Sequence, residues 1–298
     1  MTRIYNELFL KDPSFRQILE GIGDKEMPIG CYGLAEPAIA PAVETIYRDQ
    51  KRPVLLVTYD MARAKKLAED LSYYAEDGVC LLQPRELFFF QRDAGSNELL
   101  SARLRAMNAM LKGEAKFVVT TPEALGGIFL EPSYLKAASF SLKLGDVVET
   151  DALMQKLLAS GYRRVDFVEG MGQFSIRGGI IDIYTPDTYP YRVELFDVEV
   201  DSIRRFDPYT QRSVEDVDEA DVFPVHDVIF DEDLREMMAA SLEKDLKKTK
   251  NLSRVSKERA EEKFLPLIEK LRDGSFLSHT DLLLPYIPDE ARASIIDY

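Results

Sequence analysis

In the first 125 residues or so, short β-branched apolar runs alternate with longer segments of helical spacing, and this alternation restricts the fold more than any other feature of the chain. Val54 to Thr58 follows a proline and precedes Met61 to Tyr74, where Ala62, Leu67, Leu71 and Tyr74 recur at helical intervals. Val79 to Leu82 reads as a second strand and Phe117 to Thr120 as a third. Between them lies a helix over Glu98 to Lys112, with Leu99, Leu100, Leu104, Met107 and Leu111 on one side. Strands separated by whole helices must be joined by crossovers, so the expectation is an α/β unit with a parallel sheet covered on both faces.

The pattern then changes. Asp151 to Ser160 reads as one amphipathic helix, and strand candidates follow closely at Tyr162 to Val168, Gln173 to Arg177, Gly179 to Tyr184, Arg192 to Phe196 and Ser202 to Phe206. Pro, Gly and Asp punctuate them, which predicts hairpins of an α+β insertion. From Asp231 onward the composition is helical again, over Leu234 to Lys248 and Ser256 to Leu271, and the run Lys244 to Lys250 reads as a solvated helix face. The expected organisation is a first segment over residues 1–127, an insertion over 128–209 and a second segment over 210–298. Ser294 to Tyr298 reads as a strand that stops at its last residue, which suggests an amino-terminal fragment of a longer protein.

Charge and residue usage remove several functions. The formal net charge is −14, from 52 acidic against 38 basic side chains, and it opposes tight nonspecific binding to phosphate backbones. Cys31 and Cys80 sit in or beside apolar runs, as reduced thiols do in the cytoplasm, where the protein is expected. No apolar stretch spans a bilayer, and Met1 to Leu10 carries charges where a signal peptide would be apolar. His226 and His279 come without a CxxC pair, so no metal or other cofactor is expected.

The insertion carries the most specific motifs. Gly161-Tyr162-Arg163-Arg164-Val165-Asp166, Phe174 to Tyr184 (reading FSIRGGIIDIY), Arg192-Val193-Glu194-Leu195-Phe196-Asp197 and Phe206-Asp207-Pro208 occur in that order. Together they resemble the UvrA-binding domain shared by UvrB and the transcription-repair coupling factors. The resemblance implies a degenerate helicase-like (RecA-like) domain in two segments, interrupted by that insertion. It also implies a non-catalytic scaffold that recruits UvrA, with RNA polymerase and DNA engaged by other domains of the full-length protein. The alternative is a UvrB-like NTPase that verifies damage.

Two sites separate these readings. A helicase-type loop G-x-x-x-x-G-K-[ST] needs glycine for close backbone approach, lysine for charge and a hydroxyl for magnesium. The corresponding segment here is Gly33 to Ala40, where Ala38 replaces the second glycine, Ile39 the lysine and Ala40 the hydroxyl residue. Pro37 removes an N–H donor and Glu36 repels an anion. At the far end, Tyr298 follows Asp297 where UvrB-like chains carry glutamate. The stretch from Arg85 to Asn97 is also too short for the tyrosine-rich DNA hairpin of UvrB, and Phe88 to Phe90 within it reads as packing against the domain.

Strand alternation gives the second site. Val165 and Phe167 are expected to point inward with Phe174, Ile176, Val193 and Leu195. Ser175 also faces out, and the outward candidate set is then Arg164, Asp166, Arg177, Arg192, Glu194 and Phe196. By the resemblance, Arg164, Arg177 and Glu194 match positions with which UvrB-type domains contact UvrA, and Ser175 stands where UvrB has arginine.

Overall fold

The computed structural model describes residues 2–24, 28–85, 97–248, 253–274 and 280–298. Phe88 to Phe90 lie outside the described residues. The backbone divides into two compact units, one of residues 1–85 with 105–127 and the other of residues 86–104 with 128–298.

The first unit opens with α1 (Thr2–Lys11) and α2 (Pro13–Gly23), which the apolar periodicity had not suggested, followed by α3 (Ile39–Gln50). Asp12 starts α2 by accepting a hydrogen bond from the Phe15 amide at 3.0 Å, with Pro13 at the first helical position. The alternating elements follow as expected: β1 (Val54–Val57), α4 (Met61–Tyr74), β2 (Val79–Leu81), α5 (Asn97–Leu111), of which only the part from residue 105 belongs to this unit, β3 (Phe117–Thr120) and a short α6 (Pro122–Leu125). The three strands form a parallel sheet in the order β1-β3-β2. Ala40, Val43, Ala64, Ala68 and Leu71 from α3 and α4 bury one sheet face with Phe117 and Val119, the small alanines allowing close approach. On the opposite face of β1, Leu55 and Val57 remain exposed, so the sheet is not covered on both sides there.

The second unit begins with β4 (Phe129–Leu130), α7 (Pro132–Ala138) and β5 (Phe140–Lys143). Next come α8 (Thr150–Ala159), β6 (Arg163–Arg164), β7 (Gln173–Arg177), β8 (Ile180–Ile183), β9 (Tyr191–Phe196), β10 (Glu199–Phe206), β11 (Ser213–Asp216) and β12 (Glu219–Val222). Strands β6 to β11 form one sheet in spatial order β11-β10-β9-β8-β7-β6, antiparallel except for the β6–β7 pair. Its inner face, Phe174, Ile181, Ile183, Val193 and Ile203, buries against Leu153 and Leu157 of α8 and against Leu142, Ala220 and Val222 of the β5–β12 pair. Because β11 belongs to this sheet and β12 packs in its core, the strand-rich body continues past the expected boundary at residue 209.

Two expected strands differ. The segment from Tyr162 to Val168 is a strand only over Arg163–Arg164. Residues Ile295–Asp297 form a 3-10 turn, because Ser294 and Asp297 make a capping box: the Ser294 amide donates to Asp297 at 2.7 Å and the Ile296 amide to Ser294 Oγ at 3.2 Å. Before that turn, β13 (Arg292–Ala293) pairs with β4, after the helices α9 (Glu232–Lys248) and α10 (Arg254–Arg272). Arg272 joins the two helices through Glu236 and Glu243. Among the described residues, no helix is long and apolar enough to cross a membrane.

Tyr162 ties the sheet core to the end of β12. It is buried, and its hydroxyl donates to the Phe223 carbonyl at 2.7 Å. Burial pushes its pKa well above the usual phenol range. The neutral phenol therefore stabilises the fold fully below the ordinary phenol pKa, and that contribution is lost as pH rises through the raised folded value. Tyr162→Phe should cost about 1–3 kcal/mol at neutral pH by leaving the Phe223 carbonyl unpaired, and should flatten the alkaline loss of stability. Denaturant melts of both proteins from neutral to strongly alkaline pH test both effects.

Candidate functional site

Cross-strand register builds a second, polar face on the larger sheet. Ser175, Asp182, Arg192 and Arg204 form one row across β7 to β10, and Arg177, Ile180, Glu194 and Ser202 form the next. The row between them, Ile176, Ile181, Val193 and Ile203, points into the core. Period-two alternation therefore holds for β7 and β9, and the expected outward residues on these strands do share one face.

At the centre of that face lies a residue the sequence had not singled out. Asp182 is only 1% exposed, and both of its carboxylate oxygens are occupied. Arg192 Nε donates to Oδ1 at 2.6 Å and Arg192 Nη2 to Oδ2 at 2.9 Å, while Arg177 Nη2 donates to Oδ2 at 2.7 Å. Such charge-assisted, bidentate pairing is what permits a carboxylate to be buried at all. Arg192 also reaches Gln211 at 2.9 Å and stacks 4.3 Å over Phe206, and its hydrogen bond to Asp182 raises its pKa further. Its side chain is 14% exposed, so Arg192 is a buttress of the face more than a free contact. Arg177, 37% exposed, is partly open to solvent.

Phe167 corrects the inward assignment. It is 64% exposed, and the Arg177 guanidinium lies 4.9 Å from its ring centre. The regular strand ends at Arg164, so alternation does not carry through to Phe167. Ser175 lies on the outer side as expected but is buried, donating from Oγ to the Asp166 carbonyl at 2.9 Å. That carbonyl also accepts from Arg177 at 3.4 Å, while the Asp166 side chain is exposed.

The remaining candidates divide by exposure. Arg164 is exposed, with Nη1 3.4 Å from Met154 Sδ. Phe196 is 79% exposed at the β9–β10 hairpin, where Asp197 adopts a φ of +60°. Glu194 is engaged, paired with Arg204 and accepting from Ser202 Oγ at 3.2 Å. Glu194 is paired with Arg204, while two arginines share the single charge of Asp182. The cross-strand row that brings Asp182 beside Arg192 could have revealed the network, had pairing been considered in addition to alternation.

The segment aligned with a phosphate loop has a different character. Gly33 takes a φ of +81°, Glu36–Ala38 form a single 3-10 turn, and α3 begins at Ile39. Ala38 offers no side-chain cap to α3, and Pro37 and Pro41 remove amide donors from the first turns. Ile39 packs against the core beside buried Ala40. Glu36 pairs with Arg63 at 3.3 Å, which places a carboxylate beside the turn. At the other end, Asp297 caps its own turn and the Tyr298 hydroxyl donates to the Leu130 carbonyl at 2.8 Å. Asp297 thus pairs within its own turn and Tyr298 with a distant strand.

The family model described as the UvrB interaction domain matches residues 140–227, which takes in the whole six-stranded sheet and the β5–β12 pair. The transcription-repair-coupling factor of Bacillus subtilis (strain 168) is 33% identical over 305 residues, covering 98% of this chain and 25% of that protein. That of Staphylococcus epidermidis (strain ATCC 12228 / FDA PCI 1200) is 31% identical over 235 residues, 78% of this chain and 20% of that protein. That of Staphylococcus aureus (strain bovine RF122 / ET3-1) is 28% identical over 301 residues, 99% and 25% respectively. The chain thus spans about a quarter of the length of the curated relatives it matches. With a UvrB interaction domain at residues 140–227 and likeness to these proteins over nearly its whole length, the chain belongs to the transcription-repair-coupling factor family, in its amino-terminal region.

Proposed function

We propose that this chain is a non-catalytic scaffold of transcription-coupled nucleotide excision repair, which recruits UvrA through the outer face of the β6–β11 sheet. The observation that carries the reading is the fixed, positively charged array of Arg177, Arg192 and Asp182 beside exposed Arg164 and Phe196, within a UvrB interaction domain. Arginines beside exposed aromatics are the usual anchors of protein interfaces. RNA polymerase and DNA are proposed to be engaged by other domains of the full-length protein. The first unit is proposed to be a degenerate helicase-like domain, in which prolines and an isoleucine stand where a nucleotide would need donors and a cation. That substitution weighs against the alternative, a UvrB-like NTPase.

Titrating UvrA with variants of the chain tests the face. Arg164→Ala and Arg177→Ala are each expected to weaken binding by about 5- to 150-fold, roughly 1–3 kcal/mol. Arg164→Ala should leave the melting temperature near that of the parent, whereas Arg177→Ala should remain folded but lose about 1–3 kcal/mol of stability, because Asp182 keeps Arg192 and loses one charged hydrogen bond. Parent-like affinity in both folded variants would place recruitment elsewhere. Arg192→Ala should behave differently, costing about 3–5 kcal/mol of stability because Asp182 loses the partner of both its oxygens.

Nucleotide binding is tested by calorimetry with ATP and magnesium. No saturable binding is expected, and the double change Ile39→Lys, Ala40→Thr should not restore it, since Pro37 and Pro41 still lack the donors that phosphates need. Micromolar binding by the parent would revive the NTPase reading.

A further inference from the structure

We infer that Asp182 is the positioning residue of the recruiting face, a buried carboxylate that holds the Arg177 guanidinium against Phe167 so that its partly exposed group is presented, already ordered, to a carboxylate on the partner. The inference rests on the recruitment reading and adds to it the device that sets its strength.

The geometry separates the two arginines on Asp182. Arg192 spends two nitrogens on both oxygens and is covered by Phe206. Arg177 spends only Nη2 on Oδ2, with a long contact from Nη1 to the Asp166 carbonyl. Phe167 closes one face of the guanidinium, and Ser175, in register with Asp182, bonds back to the Asp166 carbonyl and leaves Asp182 to the two arginines. A free surface arginine would lose its rotamer freedom on binding. Arg177 has already lost most of that freedom in the unbound chain, so less of the interaction energy is consumed in ordering it.

A double-mutant cycle in UvrA binding distinguishes positioning from general support of the fold. Asp182→Asn keeps the shape and removes the charge that both arginines read. It should weaken binding about 10-fold in the parent and in Arg164→Ala, and less than about 2-fold in Arg177→Ala, where nothing remains to be positioned. Equal losses in all three backgrounds, or no loss in a folded Asp182→Asn, would overturn the inference. A parent chain that fails to bind UvrA overturns the recruitment reading first. Should Asp182→Asn not fold, side-chain 15N–1H spectra of the parent, assigned with Arg177→Lys, decide the matter. Slowly rotating, separately resolved Arg177 Nη protons are expected, and averaged, solvent-like ones would contradict the inference.

Discussion

A carboxylate buried in an inner strand of a sheet is tolerable only if its charge is met on the spot, and Asp182 imposes that condition on the whole strand-rich unit. Leaving it unpaired would cost several kcal/mol, comparable with the net stability of a small domain. Arg192 must therefore stay where β9 places it, with Phe206 beneath and Gln211 beside it. Arg177 completes the set from β7, and Phe167 and Ser175 take positions that follow from it. On the inner face Phe174, Ile181, Val193 and Ile203 contribute about 1.5–3 kcal/mol each by burial. The outer face converts that stability into a rigid arrangement of charge.

The first unit shows the converse use of a helix terminus. The start of α3 has the place in the chain that an anion-binding turn would have, but its amides are depleted by Pro37 and Pro41 and its side chains serve the core. Ile39 and Ala40 gain burial where a lysine and a hydroxyl would have to stay wet and polar. Glu36 can sit beside this turn because Arg63 balances it. At each of these positions the side chain packs or pairs within the unit.

What could be read from sequence depended on the range of the interaction. The strands β3 and β7 fell where their apolar patterns put them, and Arg164, Arg177 and Phe196 are exposed, as alternation and motif had them. Phe167 was misplaced because period two was extended beyond Arg164, where the strand stops. Asp182 was missed, and Arg192 and Glu194 were read only as outward-facing, because their states depend on neighbours across the sheet: Asp182 beside Arg192, and Glu194 near Arg204. The pairing of β5 with β12 joins Lys143 to Glu219, a separation that local periodicity does not reach, so the body extends past residue 209. The last turn was taken for a strand although Ser294 and Asp297 stand at capping-box spacing.

The central claim is that this chain meets UvrA with the outer face of one sheet and takes no part in binding through its degenerate loop. Amide hydrogen exchange of the chain, alone and saturated with UvrA, tests it most directly. The account predicts new protection concentrated in Gln173–Arg177 and Tyr191–Phe196 and in the segment from Arg164 to Phe167, with exchange over Gly33 to Gln50 unchanged. Protection centred on Gly33 to Gln50, with the sheet unaffected, would contradict it.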